Sequence, residues 1–189
     1  MRRAIDDAEA IARSRDGDLD AYAVLVARYT LRAHRAAFLL GAGEESDDVV
    51  QEAFVKAFRH LSRFRAGEPF APWLLRIVAN ETRNLTRSRR RRSALALRLS
   101  AAEPAGQADG PADQVLAAER RTQLVAAVNA LPDRERRVLV CRYFLDLSEA
   151  ETAQVLQWPL GSVKSRTFRA LNRLRGLLVA GQQDGVSRG

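Results

Sequence analysis

Apolar residues recur along this chain at helical intervals and almost never in strict alternation. Tyr22, Leu25, Val26 and Tyr29 share one helical face, and Asp18 stands before them as an N-cap. Val50, Phe54, Phe58 and Leu61 form a second stripe, with Ala53 and Ala57 beside it. Ser46, Asp47 and Asp48 precede that stripe, so acids meet the positive end of the helix dipole. Gly67 and Pro69 mark a loop. Pro72 then suits the first turn of a helix carrying Leu74, Ile77, Val78 and Leu85 on one face.

The pattern lapses after Arg92. From Ser93 to Ala112 the chain is rich in Ala, with Pro104, Gly106, Gly110 and Pro111, and reads as a linker with room for one helical turn over Ala94–Leu99. Helical spacing resumes at Leu116, Leu124, Val125 and Val128, until Pro132 breaks it. The next helix counts Val138, Leu139 and Tyr143 among its apolar positions. Ser148 and Glu151 form a capping box for a short helix ending near Leu156. A turn through Gln157, Trp158 and Pro159 leads to a last helix with Val163, Thr167, Leu171, Leu174 and Leu178 along one face. Short helix, tight turn and longer basic helix outline a helix-turn-helix. The expected fold is all-α: two small helical domains joined by a flexible linker, the second a helix-turn-helix. The division is 1–92, a linker over 93–113, a second domain over 114–180 and a disordered tail over 181–189.

Charge narrows the partner. The 189 residues hold 31 Lys and Arg against 23 acids, a net +8, which favours a polyanion: nucleic acid or an anionic membrane surface. Nearly all of the cations are arginines, whose planar forks suit phosphate and base edges. Cys141 is the only cysteine, so no internal disulfide forms, and its apolar surroundings indicate a buried, inert thiol. With only His34 and His60, a multi-histidine metal site is not expected, and neither is any cofactor. No signal-peptide or membrane-spanning run occurs, so the expected compartment is the cytoplasm.

The polar faces carry the candidate chemistry. On the last helix, Ser162, Lys164, Ser165, Arg166, Phe168, Arg169 and Arg173 lie off the apolar stripe. The N-terminal part of such a helix enters the major groove, although a solvated basic face would look the same by composition. After Pro72, Arg76, Asn80, Arg83 and Arg87 make one stripe, with Asn84 beside it. Of the flanking aromatics, Trp73 reads as core and Phe64 as an exposed ring on which an unpaired base can stack. Arg87 to Arg92 holds five arginines in six residues and reads as a solvated run that attracts phosphates without base specificity. Asp48, Gln51 and Glu52 adjoin an apolar stripe. By themselves they indicate a plain surface face, with a partner groove as the alternative.

Together these segments resemble the extracytoplasmic-function sigma factors of bacterial RNA polymerase. Asp48-Val49-Val50-Gln51-Glu52-Ala53-Phe54-Val55-Lys56-Ala57-Phe58 is similar to their polymerase-binding helix. Phe64-Arg65 and Phe70-Ala71-Pro72-Trp73-Leu74-Leu75-Arg76-Ile77-Val78-Ala79-Asn80 resemble their −10 recognition segment. Leu131-Pro132-Asp133-Arg134-Glu135-Arg136 and Gly161-Ser162-Val163-Lys164-Ser165-Arg166 resemble the opening and the recognition helix of their −35-binding domain. The four motifs stand in family order, and the resemblance covers about residues 14 to 178.

The resemblance implies a protein that directs polymerase to promoters and catalyses nothing itself. It implies that Asp48, Gln51, Glu52 and Val55 dock on the clamp coiled coil of core RNA polymerase. Phe64 and Asn80 would hold a flipped base of the −10 element, with Trp73, Arg76, Arg83 and Arg87 near the melted strand. Ser162, Lys164, Ser165, Arg166, Phe168, Arg169 and Arg173 would face the −35 duplex of promoter DNA. An anti-sigma factor covering these faces is a further implied partner. The family usually has glycine at the position of Gln157, so a left-handed backbone there would cost about 1 kcal/mol. Trp158-Pro159-Leu160 also lacks the usual small polar cap, for which Ser162 is the expected substitute.

Two other functions compete. A stand-alone helix-turn-helix regulator would explain the second half and leave the first without a purpose. A nuclease needs clustered carboxylates or a general-base histidine, and the one dense acidic run, Glu44 to Asp48, is accounted for by a helix start.

Overall fold

The computed structural model describes residues 5–96 and 123–186, and every regular element among them is helical. Asp6 and Asp18 start the first two helices, α1 (Asp7–Arg15) and α2 (Leu19–Leu39). Their carboxylates accept from the N–H groups of Glu9 (2.8 Å) and Ala21 (3.0 Å). Gly17, at φ +93°, makes the turn between them. After α2 a short 3₁₀ turn, Gly43–Glu45, leads into α3 (Ser46–His60), whose first turn contains Asp47 and Asp48. A second 3₁₀ turn, Leu61–Arg63, and a loop precede α4 (Phe70–Ala96). Small residues on α2, Ala21, Ala33, Ala36 and Ala37, are fully buried and let the helices approach closely around Leu25, Phe54, Leu74 and Val78.

The second half begins with helical backbone over 123–130, here α5. It continues through α6 (Asp133–Leu139), α7 (Glu149–Leu156) and α8 (Leu160–Val186). Val138, Val140, Cys141, Leu147, Val155, Val163 and Ala170 are its most buried apolar side chains. Burial pushes the Cys141 thiol up to about 12, in keeping with an inert cysteine.

Several sequence expectations change here. Tyr143, expected on an apolar face, is 57% exposed. The reason is a π-helical turn over Val140–Phe144, in which Leu145 N–H donates to the Val140 carbonyl, five residues back (3.0 Å). The wider turn rotates Tyr143 outward and brings Leu145 and Leu147 into the core. Leu124 and Val125 also face out, whereas Val128 is buried as its spacing predicts, with Ala127 beside it. The arginine run is helical, part of α4, which continues past Arg92 to Ala96, and Arg87, Arg91 and Arg92 are solvent-exposed as the solvated reading requires. Within it Arg89 donates to the carbonyls of Gly41 (3.3 Å) and Ala42 (2.6 Å) and pairs with Glu45. Likewise α8 runs on past Gly181 to Val186, where a tail was expected. The linker beyond Ala96, with Leu116, and residues 187–189 lie outside the described residues.

The two halves touch. The face of α4 lies against α7, and Arg32 of α2 donates to the Leu145 carbonyl (3.0 Å).

Candidate nucleic-acid interface

The helix-turn-helix is assembled by local chemistry. Ser148 Oγ accepts from Glu151 N–H (3.1 Å) while Glu151 Oε2 accepts from Ser148 N–H (2.7 Å), a complete capping box. Gln157 ends α7 in the left-handed conformation, φ +57° and ψ +46°, as anticipated for a position that favours glycine. The Pro159 carbonyl then accepts from Ser162 N–H (2.9 Å) and Val163 N–H (3.2 Å). α8 therefore starts two residues before Ser162, which sits inside the first turn. It is not the cap expected of it.

Buried Val163 and Ala170 fix the rotation of α8, which decides what its outer face shows. Lys164, Ser165 and Arg169 are exposed, and Phe168 projects at 68% exposure. Lys164 Nζ lies 3.6 Å from Glu149, too long and too exposed to hold it. Two expected readers are engaged elsewhere. The Arg166 guanidinium lies over the Trp158 ring, 5.0 Å from its centroid. Arg173 Nε is 3.3 Å from Glu135 Oε2, which ties α8 to α6.

On α4 the polar stripe is helical and continuous, as its spacing predicts. Arg76, Asn80 and Arg83 are half-buried, and Asn84 and Arg87 exposed. The Asn80 side-chain carbonyl is buried with no hydrogen-bond partner, an acceptor that the described residues leave unmet. Burial, and then the charges of Arg137 and Arg87, hold the Arg83 guanidinium below its usual range.

Phe64 is a correction: its ring is 5% exposed. It packs edge-on against Phe70 (5.8 Å between centroids) and Trp73 (5.2 Å), so the ring read as exposed belongs to the core with half-buried Trp73. Arg15 fixes this corner by donating to the carbonyls of Leu61 (3.0 Å) and Phe64. Burying a phenyl ring contributes roughly 2–3 kcal/mol, which outweighs keeping it free in solvent. One edge of Phe64 still helps line a cleft of about 310 Å³ with Trp73, Arg63, Arg65, Arg76 and Gln154. Gln154 belongs to α7, so the second half closes one side of that cleft.

A third surface lies between α2 and α3. Leu19, Tyr22, Val26, Val50, Val55 and Phe58 line an open apolar groove of about 550 Å³ that Gln51 borders. Leu19 is 66% exposed and Val55 38%. Asp48 and Glu52 stand exposed on the same helix. Tyr22 OH donates to the Phe54 carbonyl (2.6 Å), which holds the wall in place. This is more than a plain surface face, and the helical stripe of Tyr22, Leu25, Val26 and Tyr29 divides between groove and core: Leu25 is fully buried while Tyr22 and Val26 line the groove. The 19, 22, 26 spacing was the available signal, a stripe apart from Ala21 and Leu25.

Among the described residues no cluster of three or more His, Cys, Asp or Glu side chains is arranged to hold a metal, and no helix is long and apolar enough to cross a membrane.

Comparison with known proteins follows the same division. Residues 25–92 match the model of sigma-70 region 2, and residues 121–174 match that of sigma-70 region 4. The chain is 32% identical to the ECF RNA polymerase sigma factor SigW of Bacillus subtilis, over 87% of this chain and 92% of that one. It is 33% identical to the ECF RNA polymerase sigma-E factor of Escherichia coli, over 90% and 93%. Its fold is similar to that of CnrH, solved in complex with the cytosolic domain of CnrY. The TM-score is 0.68 at 28% identity, with 92% of this chain and 97% of that one covered.

Proposed function

The chain belongs to the ECF group of RNA polymerase sigma factors, and from that membership we propose how its surfaces divide the work of promoter-specific initiation. Exposed Asp48, Gln51, Glu52 and Val55 dock on the clamp coiled coil of core polymerase, with the α2–α3 groove accepting apolar side chains beside them. Asn80, Arg76, Arg83 and Arg87 hold the melted −10 strand. Phe64 and Trp73 form the aromatic wall behind it, with Phe64 contributing an edge. Lys164, Ser165, Phe168 and Arg169 meet the −35 duplex, and Ser162, Arg166 and Arg173 set the position of that face. Domains 1–92 and 114–180 are joined through residues 93–113, of which 93–96 continue α4.

This division suits the chemistry. A melted strand needs pockets and stacking, whereas intact duplex needs a helix in the major groove. The polymerase supplies the chemical step, so the protein itself catalyses nothing, and its compartment is the cytoplasm. With α7 against α4, the −10 surface is partly covered, and initiation requires the two halves to part. An anti-sigma partner would hold them together. The bound CnrY domain in the CnrH complex supports a protein partner of this kind.

The observation that carries the proposal is the open apolar groove on the same chain as a helix-turn-helix, since a stand-alone regulator has no use for it. The test is association with core polymerase, followed by transcription on a genomic promoter library. Joint Asp48→Ala, Gln51→Ala and Val55→Ala substitutions should weaken association while leaving the fold intact. Unchanged association would remove the docking assignment.

A further inference from the structure

Five guanidinium groups converge where α4 meets the second half. Arg83, Arg87 and Arg91 follow one another by four residues along α4, and Arg134 and Arg137 face them from α6. With Thr86, Asp133 and Trp158 they line a cavity of about 460 Å³. Asp133 is the one carboxylate in that lining, and it is already shared: Arg136 lies 3.2 Å and Arg137 3.1 Å from its oxygens. Among the described residues Arg83, Arg87, Arg91 and Arg134 take no carboxylate partner. Arg137 is only 8% exposed, and its buried Nε makes no hydrogen bond despite its closeness to Asp133.

Like charges gathered at this seam repel, and water screens buried Arg137 and half-buried Arg83 less well than exposed Arg87, Arg91 and Arg134. The arrangement is complementary to a compact anion carrying several negative charges. We propose that this cavity binds an oligophosphate, a short chain of linked phosphates, which bridges α4 and α6 and keeps the two halves packed. Forked guanidinium groups match phosphate oxygens in pairs. The volume falls within the range of about 300–1,000 Å³ usual for small-ligand sites. A single carboxylate leaves four of the five cations to be neutralised, more than one orthophosphate provides. α4 and α6 flank the site, a gap that a short phosphate chain can bridge, and Arg87 is open to solvent on one side of it. Oligophosphate and melted promoter therefore compete for Arg83 and Arg87. The proposal goes beyond promoter recognition, and its test needs neither polymerase nor promoter.

The experiment is isothermal titration of the full chain with inorganic tripolyphosphate at physiological salt, with adenosine triphosphate and orthophosphate as parallel arms. Trp158 fluorescence gives a second readout, since it lines the cavity. The expected result is saturable one-to-one binding of tripolyphosphate, with orthophosphate much weaker. Arg134→Glu should weaken it about tenfold or more, as loss of a charged pair predicts. Arg175→Glu, the same charge change at an exposed position of α8 away from the cavity, should change it little. Equal binding of the nucleotide assigns the site to any triphosphate group, and its exclusion assigns the site to the unsubstituted chain. Either result sustains the proposal. Equal weakening by Arg134→Glu and Arg175→Glu would reduce the effect to net charge and overturn it. So would absent or unsaturable binding, or a preference for an acidic peptide such as polyglutamate. Should Arg134→Glu fail to fold, Arg134→Gln provides the same comparison.

Discussion

Arg166 rests on the indole of Trp158, with its guanidinium carbon 5.0 Å from the ring centroid. The pair closes the turn of the helix-turn-helix onto the first turns of α8. It makes Arg166 a positioning residue, although it sits in sequence among residues proposed to face the −35 element. Arg166→Ala should lower the stability of the second half by about 0.5–1 kcal/mol and weaken binding to all −35 sequences alike. Arg169→Ala should leave stability unchanged and relax preference at particular −35 positions, at about 1–3 kcal/mol per lost base contact. Binding across a set of single-base −35 variants, with denaturation of the same proteins, separates the two. Position-specific loss from Arg166→Ala would contradict the assignment.

Gln157 holds a left-handed backbone with no glycine to ease it. Gln157→Gly should therefore stabilise the protein by about 1 kcal/mol, visible as a raised denaturation midpoint with an unchanged slope. A destabilised variant would mean that the Gln157 side chain makes contacts worth more than the strain.

The capping box makes stability sensitive to acid. Hydrogen bonding to Ser148, through its side chain and then its backbone, holds the Glu151 carboxyl below the usual range. A depressed folded-state value contributes stability above the unfolded value of about 4.3, and this is lost as pH falls through the folded value. Glu151→Gln should thus be less stable than the parent at neutral pH, and the gap should narrow on acidification. Denaturant melts of both proteins across that range check the sign. A gap constant with pH would show that the carboxylate charge plays no part.

Arginines only three apart in the basic run should behave differently. Arg89 is tied to the Gly41 and Ala42 carbonyls, so Arg89→Ala should destabilise the first half by about 1–3 kcal/mol. Arg92 is exposed on the same helix, and Arg92→Ala should leave stability alone while lowering the salt slope of DNA binding by about 1. Melting curves and salt titrations of both variants test this, and matching effects would refute it.

The elements themselves were legible in the chain because caps and periodicity act over a few residues. Asp18, the Ser148–Glu151 box, the break at Pro132 and the left-handed Gln157 all appear where local chemistry puts them. Local chemistry also misled. Ser162 has a cap's composition, but the Pro159 carbonyl had already begun the helix. Tyr143 has a core residue's character, but the π-helical turn moved it to the surface.

By itself the sequence determined an all-helical chain, two basic modules, a helix-turn-helix and the order of four family motifs, since each depends on neighbours within a turn or two. Only the tertiary structure decided that Phe64 is a core ring, that Arg89 and Arg166 are ties within the chain, and that α2 supplies half of an apolar groove. It alone set Arg83 of α4 and Arg137 of α6 around one cavity. Burial and the meeting of charges far apart in sequence arise when helices pack, and no stretch of residues read alone contains the partner that arrives from elsewhere.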